Sequence, residues 1–108
     1  MKKLPKSVTV FGRIIPIHNL SSDKIKELYP DFQQAAPLGL WDSSRRVIII
    51  NKDFPVIDQA YTLKHEMGHA MMTFIGLDLI IDPSLQEVLV QSMATLMEDV
   101  LNQARSLK

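Results

Sequence analysis

Apolar residues along the chain recur first in strand-like runs and then at helical spacing. Val8-Thr9-Val10-Phe11 and residues 13–18 are β-branched runs separated by Gly12, which predicts one or two short strands, with Pro16 favouring an edge position. Ser21-Ser22-Asp23 precedes Ile25, Leu28 and Tyr29 at helical spacing, and Pro30 stops the pattern, so a capped helix of about two turns is expected. A connector rich in Gln, Ala and Pro follows. Leu38-Gly39-Leu40-Trp41 and residues 45–51 then flank the turn formers Asp42-Ser43-Ser44, which predicts a β-hairpin whose second strand is the most apolar in the chain.

From about residue 55 to residue 75 the only Gly is Gly68, and Leu63, Met67, Ala70 and Phe74 recur at helical spacing, predicting a long helix that Gly76 stops. An apolar loop over residues 77–82 leads to Pro83-Ser84, the opening of a second long helix running to about Ala104, with Leu89, Met93, Leu96 and Val100 on one stripe. Strands, short helix, hairpin and two long helices make an α+β layout: a small antiparallel or mixed sheet packed on the first long helix.

At 108 residues the chain fits one domain spanning 1–108 with one core. Twelve basic and twelve acidic residues cancel, and no stretch concentrates one sign, so nucleic acid is not an expected partner. Cysteine is absent, which removes disulfides, thiolate ligands and thiol nucleophiles. Any metal would have to be held by His and carboxylates. The apolar runs at residues 47–50 and 77–81 fall far short of the roughly 20 residues a membrane helix needs. Arg13, Pro16 and His18 interrupt any apolar signal segment, so no membrane association is expected, and the chain is expected in the cytoplasm.

The chemistry concentrates in His65-Glu66-Met67-Gly68-His69, an HExxH motif in the middle of the first long helix. Residues four apart share a helix face, so two imidazoles can converge on one Zn²⁺ ion. The two histidines fall almost opposite the stripe of Leu63, Met67, Ala70 and Phe74, which separates a ligand face from a packing face. Glu66 projects between the faces, where a carboxylate suits a general base. A catalytic zinc takes three protein ligands and keeps one open position. Glu87, in the first turn of the second long helix, is the favoured third ligand, with Asp78, Asp82 and Glu98 as alternatives. Glu98 lies about 16 Å farther along that helix. Gln91 and Asp58 are candidates to orient a ligand through a hydrogen bond. Gly68 inside a helix points to a close approach by another backbone, with helix packing as an equal explanation.

These residues resemble the gluzincin metallopeptidases, and more narrowly the very small phage and prophage proteins grouped loosely with the ImmA/IrrE-like metallo-endopeptidases. The resemblance covers about residues 38–100. It rests on Gly39-Leu40-Trp41-Asp42 with residues 46–51 for a hairpin, on residues 63–70 around the motif, and on Glu87 to Ala94 in the following helix. Where related helices carry an acidic run before the ligand, this chain has Ser84-Leu85-Gln86. The resemblance implies a minimal zincin-like domain, zinc ligation by His65, His69 and Glu87, and Glu66 as catalytic base. It also implies that the hairpin's last strand flanks the cleft so that a peptide can pair with it. Larger relatives add a histidine or tyrosine to stabilise the oxyanion, which makes Tyr61 and His18 the candidates here. The expected activity is zinc-dependent cleavage of a peptide or protein substrate, in a host cytoplasm if the chain is phage-encoded. The alternative from another class is a catalytically weak or inactive zinc-binding interaction protein, such as a phage assembly factor or an inhibitor of a host protein. No pattern in the chain specifies an oligomeric state.

Overall fold

The computed structural model describes residues 4–106, with side chains described for residues 4–96. The chain forms β1 (Ser7–Val10), β2 (Arg13–Leu20), α1 (Ser22–Leu28), β3 (Gly39–Asp42), β4 (Val47–Asn51), α2 (Val56–Phe74) and α3 (Pro83–Ser106), with single 3₁₀ turns at Pro30–Phe32 and Leu77–Leu79. The fold is α+β. Its four strands form one mixed sheet in the order β1-β2-β4-β3, with β2 parallel to β4 and the other two pairings antiparallel.

The two faces of the sheet are covered by different elements. Ile15, Ile17, Ile48 and Ile50 pack with Leu63 and Ala70 of α2, while Val47 and Ile49 pack with Ile25 of α1 on the opposite face. This is why β4 reads as a continuous apolar run: all five of its residues are buried, because both of its faces are covered. Asn51 closes the strand with its side chain fully buried, donating to Ser22 Oγ at 2.9 Å and to the Pro37 carbonyl at 3.1 Å. Those bonds satisfy the buried amide and fix the end of β4 against the start of α1.

Local chemistry explains the element ends. Ser21 caps α1 by accepting from Lys24 N–H at 3.2 Å. At the β3–β4 turn, Asp42 Oδ1 accepts from the backbone N–H groups of Ser44 and Arg45, both at 3.1 Å, and its other oxygen accepts from Tyr29 O–H at 2.7 Å. Burial and this hydrogen bond to Asp42 push the Tyr29 phenol up to about 12. The β1–β2 hairpin turns through Phe11 and Gly12, both left-handed, with φ of 50° and 75°. That is the geometry of a tight two-residue hairpin turn, in which glycine is at ease and phenylalanine is strained.

Three sequence expectations need correction. Pro16 sits in an interior strand, because β2 is flanked by both β1 and β4. It is tolerated because Ile17 N–H turns to β1, donating to Lys6 O at 2.9 Å, so the alternation aims the Pro16 nitrogen towards β4, one residue before that ladder begins at Ile17. Second, β4 has strand partners on both sides, so it is β3, and not the hairpin's last strand, that lies at the sheet edge. Third, the Leu89, Met93, Leu96 and Val100 stripe is not the most buried side of α3 among the described residues. Among the described residues of α3, Val90 and Ala94 are buried, Leu89 and Met93 are half-buried and Leu96 is exposed, while Val100 lies outside the described side chains. Gly68 decides this: a Cβ there would lie 2.8 Å from Val90 Cγ1, so the glycine is the notch that seats Val90 between the helices. Among the described residues, no helix is long and apolar enough to cross a membrane.

Candidate metal centre

The motif lies in the middle of α2, the long helix beneath the sheet, and the 3₁₀ turn at Leu77–Leu79 brings α3 back across it. The start of α3 is fixed by Pro83 and by Asp82, whose side chain accepts from Leu85 N–H at 3.1 Å. Asp82 is therefore the helix cap and stands outside the cluster formed by His65, His69 and Glu87. With the start of α3 fixed there and Val90 seated on Gly68, the first turn of α3 sits over the middle of α2 and delivers Glu87 to the two histidines.

The three side chains converge. His65 Nε2 lies 3.3 Å from His69 Nε2, and the Glu87 carboxylate places Oε2 at 3.0 Å from His65 Nε2 and Oε1 at 3.0 Å from His69 Nε2. These are the only described His, Cys, Asp or Glu side chains that form a potential metal-holding group of three. The spacing can be tested against an ion. Ligand atoms about 2.0–2.1 Å from a tetrahedral centre stand about 3.3 Å from one another. The two imidazole nitrogens match that edge, and the Glu87 carboxylate faces both of them with one oxygen each. One donor atom from each of the three residues thus lies within 4.8 Å of the others, near enough to converge on one small ion. Two imidazole nitrogens and a carboxylate are a donor set that suits Zn²⁺. Gln86, next to Glu87, places its Oε1 2.7 Å from His69 Nδ1.

Glu66 is buried, with 7% of its surface exposed. Burial, and then the negative charge of Glu87, push its carboxyl from 4.5 up to about 8, against the opposing hydrogen bond it accepts from the Trp41 backbone N–H. The same Trp41 donates its indole N–H to Thr73 Oγ1 at 2.9 Å and sets its ring edge against Phe74 at 5.8 Å. β3 can lie this close to α2 because Gly39 has no side chain: a Cβ there would stand 2.6 Å from Thr62 Cγ2.

A cleft of about 670 Å³ opens over these groups. Its floor is α2, with Tyr61, Thr62, His65, Glu66, His69 and Thr73; one wall is β3 with Phe32, Pro37 and Leu38; the other is Gln86, Glu87 and Gln91 of α3. The volume is typical of a ligand site.

The other sequence candidates fall as follows. Tyr61 lines the cleft, 47% exposed, and its hydroxyl accepts a hydrogen bond from the Gln91 side chain. Gln91 thus partners Tyr61 instead of a metal ligand. His18 is exposed on β2 in register with Ile49, on the sheet face away from α2, and is not at the cleft. The strand alternation that buries Ile15 and Ile17 against α2 turns His18 the other way. Asp78 lines the cleft but stands outside the three-donor cluster. Asp58 is exposed, and the nitrogen of His69 facing away from the cluster is held by Gln86. Glu98 lies outside the described side chains.

Gln86 is the residue that sequence reasoning passed over. Its only signal was adjacency to Glu87 in a first helical turn, which says nothing of side-chain direction until the packing of α3 on α2 is known. Comparison of the chain with protein-family models, with curated proteins and with solved structures gave no match.

Proposed function

We propose that this protein is a zinc-dependent peptide-bond hydrolase, with His65, His69 and Glu87 as the ligands and Glu66 as the general base. The observation that carries the reading is the convergence of two imidazole nitrogens 3.3 Å apart and a carboxylate that faces both at 3.0 Å, one oxygen to each, beside a buried carboxyl in an open cleft. When bound, zinc supplies Lewis acidity, polarising a carbonyl and acidifying water.

The chain's own residues supply the rest. Three protein donors leave one coordination position, the number a catalytic site keeps open. Burial alone favours the protonated form of Glu66, whereas a cation in the site would favour its carboxylate, and it is the carboxylate that would take a proton from water and return it to the leaving amine. Tyr61, on the cleft floor one turn before His65, is the candidate hydrogen-bond donor to the carbonyl oxygen as it gains charge. An extended substrate matches the free edge of β3, whose Trp41 N–H already points at Glu66. The apolar side chains of Phe32, Pro37 and Leu38 on that wall favour substrates carrying apolar residues.

The test is Glu66→Gln assayed against denatured proteins and peptide libraries. The variant is expected to keep one zinc and the fold while losing at least about 100-fold in turnover. Undiminished turnover would remove Glu66 from its role. Zinc bound by both proteins with cleavage by neither would instead leave a zinc-binding interaction protein.

A further inference from the structure

We propose that Gln86 is the positioning residue of this centre: its side-chain oxygen holds a proton on His69 Nδ1 and so leaves His69 Nε2 unprotonated and aimed at the ion. The proposal rests on the zinc reading of His65, His69 and Glu87. It is carried by the 2.7 Å contact between Gln86 Oε1 and His69 Nδ1, at the short end of the N–H···O range. An amide oxygen can only accept, so the nitrogen facing it must carry the hydrogen. In a neutral imidazole the other nitrogen then has the free lone pair. That nitrogen is Nε2, 3.0 Å from Glu87 Oε1 and 3.3 Å from His65 Nε2; because the Glu87 oxygen is itself an acceptor, a free lone pair on Nε2 belongs to the site with the ion between them.

The arrangement follows from two adjacent positions on α3. Successive helical residues diverge by about 100°, so Gln86 and Glu87 approach His69 from different directions. One reaches the Nδ1 edge of the ring and the other the Nε2 edge, and the imidazole is clasped between them. The clasp is stiff because the Asp82 cap and the seating of Val90 on Gly68 fix the first turn of α3. His69 is also well enclosed, with 14% of its side chain exposed, so bulk water competes poorly for Nδ1. A neutral amide sets the tautomer without adding a third negative charge beside Glu66 and Glu87.

The experiment compares the wild type with Gln86→Leu, Gln86→Ala and Gln86→Glu in the full chain. Zinc affinity is read by competition with a chromogenic chelator, and the hydrogen bond at His69 Nδ1 by the exchange rate of its proton with water in the zinc-saturated protein, followed by ¹⁵N–¹H correlation. Leu and Ala are expected to weaken zinc binding about 10- to 100-fold and to speed exchange of the Nδ1 proton. Glu keeps an acceptor at the same place, so it should restore the slow exchange and hold affinity within about threefold of wild type or tighter. A general loss of packing would not be rescued by Glu. Leu and Ala variants that bind zinc like the wild type, or a wild-type His69 Nδ1 proton that exchanges as fast as in those variants, would overturn the role of Gln86 while leaving the zinc site standing. A wild-type chain that binds no zinc would overturn the site itself.

Discussion

Replacing Glu66 by Gln should make the metal-free protein more stable, and increasingly so as pH rises. The carboxyl is buried beside Glu87, and those two influences raise it from 4.5 to about 8. Because the folded state holds this proton more tightly than the unfolded chain does, the stability it confers is complete below about 4.5. That stability drains away as pH climbs to about 8, above which both states are ionised. A carboxyl held from 4.5 up to about 8 corresponds to at most about 5 kcal/mol over that window, a large share of a small domain's stability. Glutamine has nearly the same shape, can still accept from Trp41 N–H, and cannot ionise. Urea unfolding in EDTA at pH 5, 6.5 and 8.5 should therefore find the two proteins close at pH 5, with the variant ahead by several kcal/mol at pH 8.5. Titrating groups that do not interact with Glu66 cancel in the difference. Added zinc should flatten the wild-type slope, since a cation in the site favours the carboxylate. Parallel pH profiles for the two metal-free proteins would refute the argument, showing that Glu66 is solvated or ionised in the fold.

Phe11 occupies a left-handed position in a hairpin turn where Asn-Gly is the favoured pair, so Phe11→Asn should stabilise the protein by about 1 kcal/mol, seen as a Tm several degrees higher. An unchanged or lower Tm would mean that the turn carries no such strain. Gly68→Ala should destabilise by about 1–2 kcal/mol despite alanine's better helix propensity, because its Cβ meets Val90, and Val90→Ala should rescue it in the double variant. Additive losses would show that the two positions do not share a contact. If the protein turns over peptides, Tyr61→Phe should slow it about 100-fold without changing zinc content, while His18→Ala should leave rate and zinc alike unaltered. The reverse pattern would exchange the two residues' roles.

Much of this fold is local in origin and was legible for that reason. The cap at Ser21, the breaks at Pro30 and Gly76, the Asp42 turn and the opening at Pro83 all depend on residues within a few positions of one another. The placement of β2 beside β4 was not, because that parallel pairing joins residues about thirty apart and only closure of the whole sheet decides it. The choice of edge strand followed from it: an apolar run such as residues 47–50 serves equally in an interior strand or a half-covered edge. On α3, aliphatic spacing pointed to Leu89 and Leu96, but the notch at Gly68 seats Val90, and Leu96 is left exposed. At the candidate site the HExxH spacing carried His65, Glu66 and His69 directly, since one rigid helix supplies all three. Glu87 could be favoured but not separated from Asp78 or Asp82 without the cap that fixes where α3 begins.

The most direct measurement is a crystal structure of the protein grown with one equivalent of zinc. A single ion should stand about 2.0–2.2 Å from His65 Nε2, His69 Nε2 and a Glu87 carboxylate oxygen, with a fourth position filled by water from the cleft. An ion held by Asp78 with Glu87 turned away, or no ion between the histidines at saturating zinc, would contradict the account.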